Sequence, residues 1–323
     1  MAKNATAVKN YSAPQVKYPG DDIPMNPHVR QKKQVSDWVI DIVIAIVLAA
    51  IVFMVVYPMW FIIIASFSDQ HAVSAGQVRI FPKGISLYGY QKLFSDARIW
   101  TGYKNTIIYA VLGTLLNLLV TMPAAFAMSR REFKPRRVLM FLLTFTMFFS
   151  GGMIPSYLLI KSLGMLNSMW VFIIPGAMSV WNLIIARSFF ETSIPEDLHD
   201  AAQIDGLSYF GYFMKIVLPL STAILAVIGL YYFVGHWNDY FTGLIYVNEQ
   251  DKLPLQNVLQ QILLANQTNQ MGQDSALSGV EAQQFADQIK YGVIIVATLP
   301  LLVIYPFLQK YFEKGVMIGA VKG

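Results

Sequence analysis

There is no cysteine among the 323 residues, which excludes disulfide bridges, thiol nucleophiles and thiolate metal sites. Charge is also scarce. Asp, Glu, Lys and Arg make up 13% of the chain, against roughly 25% in an average soluble domain. The four histidines, His28, His71, His199 and His236, are scattered and none stands in a metal-ligand spacing such as HExxH, so no metal is expected. The run GxxxxGK[ST] is missing, which excludes a P-loop. No nucleophile–base pair or pair of catalytic carboxylates recommends itself. The net charge of +5 speaks less for nucleic acid, which is not expected as a partner, than for an asymmetric membrane topology.

What is abundant is apolar: 55% of the residues are hydrophobic. Six runs reach the roughly 20 residues needed to cross a hydrocarbon core, at about 38–66, 105–128, 138–160, 170–190, 217–241 and 291–312. A spanning segment must satisfy its backbone internally, which leaves helices or closed barrels. The short alternating segments of a barrel are missing. The reading is an all-α membrane protein with six transmembrane helices and lipid as its surroundings. Residues 1–37 are polar and dotted with Pro and Gly, a tail; 38–313 form the transmembrane domain; 314–323 are a second short tail.

Orientation follows from the basic residues. With the N-terminus inside, the inner segments hold 16 of the 24 Lys and Arg, and "SRREFKPRR" alone supplies Arg130, Arg131, Lys134, Arg136 and Arg137. Short loops carry most of this signal, so both termini are expected inside. Asp41 lies one turn from the inner boundary, where it can snorkel or pair with Lys32 or Lys33 rather than serve a proton relay. "SGGMIP" in the third run predicts close helix packing with a kink. Two outer loops are long, 67–104 and 242–290. In the second, Leu255, Val258, Leu259, Ile262 and Leu263 recur at helical spacing, which predicts an amphipathic helix that either caps the bundle or docks a partner.

Between the fourth and fifth runs the chain reads "TSIPEDLHDAAQIDGLSYFGYFMKIVLP", a loop over 191–217. Ser193 and Glu196 have capping-box spacing, Pro195 suits a first turn, and Gly206 suits a left-handed C′ position. A second short helix over about 208–217 leads into Leu218-Pro219, where the next span begins. The product is a helix–Gly–helix elbow. Ala201 and Ala202 let another surface approach the backbone, and Asp200 asks for a basic partner.

Asp200-Ala201-Ala202, three residues, Gly206, nine residues, then Ile216-x-Leu218-Pro219 resembles the EAA signature of the importer permeases of ATP-binding-cassette (ABC) transporters, without insertion. Like the sugar-type permeases of the maltose class, the chain has six runs, this loop after the fourth, and a similar ending, "YFEKGVMIGAVKG". "GGMIPSYLLIKSLGMLNSMWVFIIP" and "KLPLQNVLQQIL" look most like the branch for complex or oligomeric saccharides. The resemblance implies a type I ABC importer permease fold, both termini cytoplasmic, in the bacterial cytoplasmic membrane. It implies that the elbow is the coupling helix, seated in a cleft of the ATPase subunit, with Asp200, Ala201, Ala202, Gly206, Ile216, Leu218 and Pro219 as its motif residues. It further implies a second permease, two ATPase copies that bind ATP and Mg in place of any cofactor here, an extracytoplasmic solute-binding protein, and a saccharide substrate. Asp stands where the motif usually has Glu, so Glu196 or Asp197 are alternative carriers of the ion pair to the ATPase.

Aromatic faces beside hydrogen-bonding groups suit sugar rings. Trp181 and Asn182 in the fourth run and Tyr231 and Tyr232 in the fifth have that character, though an interfacial belt and interhelix packing use the same residues. Trp237 and Tyr240, nearer the outer boundary, fit that belt-and-packing role. A self-sufficient secondary carrier would need an intramembrane coupling charge, and the runs hold no convincing one.

Overall fold

The computed structural model describes residues 35–271 and 289–306. Most of the expected N-terminal tail, with Lys32 and Lys33, the tail 314–323, and 272–288 of the second outer loop lie outside the described residues. The order is α1 Val35–Ser66, α2 Gln70–Ser74, α3 Tyr88–Ser95, α4 Ala97–Ser129, α5 Arg136–Phe148, α6 Met153–Ser162, α7 Trp170–Ile173 and α8 Val180–Ser193. There follow α9 Glu196–Ile204, α10 Tyr209–Tyr212, a π turn Phe213–Val217, α11 Leu218–Leu220, α12 Thr222–Trp237, α13 Phe241–Tyr246, α14 Leu255–Met271 and α15 Ile289–Pro306. Among the described residues the extended pairing is confined to one bridge, Ser68 with Ile85. The chain divides into residues 1–56, which hold most of α1, and 57–323, which hold the rest.

Three described helices are long and apolar enough to cross a membrane, Trp38–Ser66, Ala97–Ser129 and Ile289–Pro306, and two bent pairs bring the number to five. Three of the apolar runs are broken, the first of them at the kink expected from SGGMIP. The run 138–160 is two helices, α5 and α6, bent by 112°. The break falls at Gly151-Gly152, with Gly152 at φ 87°; a side chain there would meet nothing within 4 Å, so these glycines shape the backbone rather than admit a neighbour. The run 170–190 is no continuous helix. It breaks between α7 and α8 around Pro175, whose ring and missing N–H interrupt the ladder. In the fifth, Tyr209–Leu220 and Thr222–Trp237 meet at 84°, so the straight part starts after Ser221.

α4 is the spine, 33 residues and so about 50 Å long. It starts before the expected 105 because Asp96 caps it. The Asp96 carboxylate accepts the Arg98 N–H at 2.9 Å and pairs with its guanidinium at 2.7 Å; the hydrogen bond to Arg98 holds that carboxyl below its usual range. Two clusters pack along α4. Toward its start, Ile99 and Tyr109 join Phe172, Trp237, Leu255, Val258, Leu259 and Val293. Toward its end, Met122, Ala125 and Phe126 join Leu183, Phe190, Tyr212, Phe213 and Ile228. The amphipathic helix of the second outer loop is α14, and Leu255, Val258, Leu259 and Ile262 are buried. It seats on α4, where Gly102 would place a Cβ 3.0 Å from Leu255 Cα and the Leu255 N–H donates to Thr106 Oγ1 at 2.8 Å.

Trp237 takes the packing part of its expected role. It is 2% exposed, its Nε1–H donating to the Ala297 carbonyl at 3.0 Å. It is a core residue joining α12 to α15 rather than part of an interfacial belt.

Candidate functional site

A cavity of about 810 Å³ opens between α6, the α7–α8 break, α12 and α13, lined among others by Ser156, Ser179, Asn182, Tyr231, Tyr232, His236 and Asp239. Three of the four aromatic or amide residues singled out in the sequence reach it. Asn182 and Tyr231 line it; Tyr231 is half exposed. Tyr232 also lines it, but its hydroxyl is committed elsewhere, lying 2.6 Å from Thr121 Oγ1 and accepting the Ser179 N–H at 2.9 Å. Trp181 is outside the lining and 60% exposed. The reason is helical: neighbouring positions point about 100° apart, so Asn182 faces inward while Trp181 cannot.

The wall made by the broken segment is held at two points. Tyr232 holds Ser179. Asn117 on α4 donates through Nδ2 to the Gly176 carbonyl, and its Oδ1 accepts from His236 Nε2 at 2.7 Å. A Cβ at Gly113, one turn earlier on α4, would overlap the His236 ring. Asn117 and Ser179 are not singled out by the sequence, and His236 and Asp239 stand there only as a scattered histidine and a carboxylate at a span edge. The signal available there was a polar residue inside an apolar run, His236 in α12 and Asn117 in α4, which is costly unless partnered.

The elbow lies at the other end of α4. α9 follows Pro195, which caps without a side-chain hydrogen bond; Ser193 ends α8 instead of forming the expected capping box. At the far end Gly206 takes φ +74°. Its N–H donates to the Gln203 carbonyl at 3.0 Å, and the Leu207 N–H donates to the Ala202 carbonyl at 2.9 Å. Those two bonds are the Schellman closure, which glycine reaches without a Cβ penalty. His199, 4% exposed, stands 5.0 Å from the Tyr209 ring and 5.2 Å from Tyr212, fixing α9 on α10.

The two alanines part company. Ala202 is 2% exposed and belongs to the inner cluster, so it cannot receive a partner surface; Ala201 is exposed. The outward face reads Asp197, Asp200, Ala201 and Ile204, the i, i+3, i+4, i+7 set of one helix side. Ile204, 87% exposed, was not singled out from the sequence. Glu196 stands 3.6 Å from Arg131, whereas Asp200 makes no ion pair among the described residues. Ile216, Leu218 and Pro219 fall in and after the π turn Phe213–Val217, a local widening that often marks functional positions.

Residues 97–318 match the family described as "Binding-protein-dependent transport system inner membrane component". The chain belongs to this family. Among relatives of this permease, protein LplC of Bacillus subtilis (strain 168) is 41% identical over 268 residues, 83% of this chain and 90% of that one. The polygalacturonan/rhamnogalacturonan transport system permease protein YtcP of the same organism is 41% identical over 268 residues, covering 83% and 93%. Among solved structures, a bacterial ABC transporter involved in the import of the acidic polysaccharide alginate superposes with TM-score 0.77 at 31% identity, covering 87% of this permease and 99% of that chain. The permease is thus an inner-membrane transport component with an all-α ABC importer fold, and it is not the subunit that hydrolyses ATP. The family's dependence on a binding protein implies that it works with separate polypeptides.

Proposed function

We propose that this permease is the membrane half-channel of an ATP-driven importer for oligosaccharides, and that its α9 elbow couples ATPase closure to the membrane helices. The observation that carries the coupling is the outward face Asp197–Asp200–Ala201–Ile204. An apolar tip flanked by carboxylates that make no ion pair among the described residues is complementary to a basic, partly apolar cleft. In this arrangement the basic cluster Arg130–Arg137 and both termini face the cytoplasm, the segments 67–104 and 242–290 face outward, and the broken run 170–190 completes six spans.

The saccharide reading draws on relatives that carry sugars in their names and on the chemistry of the cavity. Hydroxyl-rich rings suit tyrosine faces beside an amide, hydroxyls and one carboxylate. The lining contains no Lys or Arg. A charged uronate would therefore find its cations in the second permease or in the binding protein.

The full assembly is this chain, a second EAA-type permease, two ATPase subunits that hold ATP and Mg, and a binding protein on the outer loops. One elbow fills one socket, while two ATPases closing on each other present two. The decisive test is reconstitution in proteoliposomes. The chain alone should neither hydrolyse ATP nor move sugar. With its partners it should take up oligosaccharide only when ATP is present. Sugar flux by the chain alone would replace this reading with a secondary carrier.

A further inference from the structure

Arg130, just past the end of α4, has no role in the transport cycle proposed above. It is 9% exposed, and among the described residues no carboxylate lies within ion-pair reach of it. The nearby acids are taken: Glu196 stands 3.6 Å from Arg131, and Glu191 pairs with Arg187 at 2.8 Å, with Arg136 3.9 Å away. Arg130 is left with neutral neighbours: Ser129 Oγ, to which its Nε–H donates at 3.2 Å, the Phe126 ring, 5.1 Å from its guanidinium carbon, and the buried Tyr212 hydroxyl beside it. A buried guanidinium without a counter-charge is strongly disfavoured, so the site asks for an anion.

Two cavities meet at this side chain. One, about 410 Å³, is walled mainly by Pro123, Phe126, Phe133, Phe210 and Phe213, with the exposed Glu132 also in its lining. The other, about 480 Å³, is lined by Arg131, Arg136, Ser129 and Thr192, together with the two glutamates already paired. An apolar trough and an arginine-rich one share a buried cation at the end of a membrane-crossing helix. That places both at headgroup depth, where basic pockets between helices take lipid phosphates.

We propose that a phospholipid occupies this pair of cavities, its phosphodiester on Arg130 and one acyl chain in the apolar trough. The lipid braces the α4 end against the helix that carries Tyr209 and Phe210, the second arm of the elbow. The inference rests on the membrane location of the family and not on the saccharide reading, and its test reads lipid retention rather than transport.

The full-length chain in mild detergent is mixed with dioleoylphosphatidylglycerol or with dioleoylglycerol, which has the same chains and no phosphate. Native mass spectrometry then counts the molecules retained. One phosphatidylglycerol should stay bound with about tenfold preference over dioleoylglycerol. Arg130→Gln should abolish the preference, while Arg137→Gln, on an exposed residue outside both linings, should keep it. Should Arg130→Gln fail to fold, Phe210→Gln on the exposed wall serves instead and should lower retention of the phosphatidylglycerol. Equal retention of the two lipids, or unchanged retention in whichever of Arg130→Gln and Phe210→Gln folds, overturns the proposal. Displacement of the lipid by millimolar inorganic phosphate overturns it in favour of a free-anion site.

Discussion

The hydroxyl of Tyr232 accepts the backbone N–H of Ser179 at 2.9 Å, so α12 holds the start of α8 through a single phenol. The same oxygen lies 2.6 Å from Thr121 Oγ1, which brings α4 into the contact. A sequence reading that offers Tyr232 to a sugar overlooks that its polar end is already occupied. Tyr232→Phe removes the partner of the buried Thr121 hydroxyl and of the half-buried Ser179 N–H, at a cost of about 1–3 kcal/mol. The variant should unfold at lower temperature in detergent than wild type, while Tyr231→Phe should match wild type. Equal melting of all three would remove Tyr232 from the clamp.

A second contact makes a sharper test. Gly113 faces the His236 ring at a distance that leaves no room for a methyl group. Gly113→Ala should cost about 1–3 kcal/mol through overpacking, with loss of the Asn117–His236 hydrogen bond. Gly229→Ala is the control, since its Cβ would sit 3.5 Å from Leu118 Cδ1, an ordinary contact. Adding His236→Ala to Gly113→Ala should recover part of the loss. Additive losses in the double variant would show that the two residues do not press on each other.

Much of this was legible in the sequence, and the misses have physical causes. The elbow and its Gly206 closure could be read because capping chemistry is local. The kink in 138–160 could be read from its glycines and proline, but the breaks in 170–190 and 217–241 could not, because hydropathy counts apolar residues and is blind to backbone breaks. Gly151-Gly152, Pro175 and the turn at Ser221 each bend a run that remains apolar throughout. The inward turn of Ala202 and the outward turn of Ile204 follow from which side of α9 meets the Phe126–Tyr212 cluster, a tertiary fact. Asn117 and His236 lie 119 positions apart in sequence, and nothing local joins them.

Within the cavity, the residues that face it with uncommitted groups should govern affinity. Asn182→Leu and Tyr231→Ala are expected to raise the KM for saccharide uptake by about tenfold, the worth of roughly 1.4 kcal/mol, in the assembled transporter. Trp181→Ala, outside the lining, should leave KM unchanged. A larger effect from Trp181 than from Asn182 would move the sugar path to another face of α8.

The elbow's apolar tip offers the last test, and the buried alanine shows how to choose the variant. Ala202→Arg would force a cation into the packed inner cluster and abolish folding, so lost activity there says nothing about coupling. Ile204 is free of that confusion, being 87% exposed. Ile204→Asp should leave insertion and melting unchanged and weaken ATPase docking roughly tenfold, about 1.4 kcal/mol. Asp200→Glu, which restores the residue usual in the motif, should keep transport. Asp200→Lys should lose it through like-charge contact with a basic socket. Asp197 lies one turn away on the same face and is the remaining carboxylate that could substitute, since Glu196 already stands beside Arg131. If Asp200→Lys transports normally, Asp197→Lys should fail. If both transport normally and Ile204→Asp still holds the ATPase, the face does not dock, and coupling must run through another part of the loop.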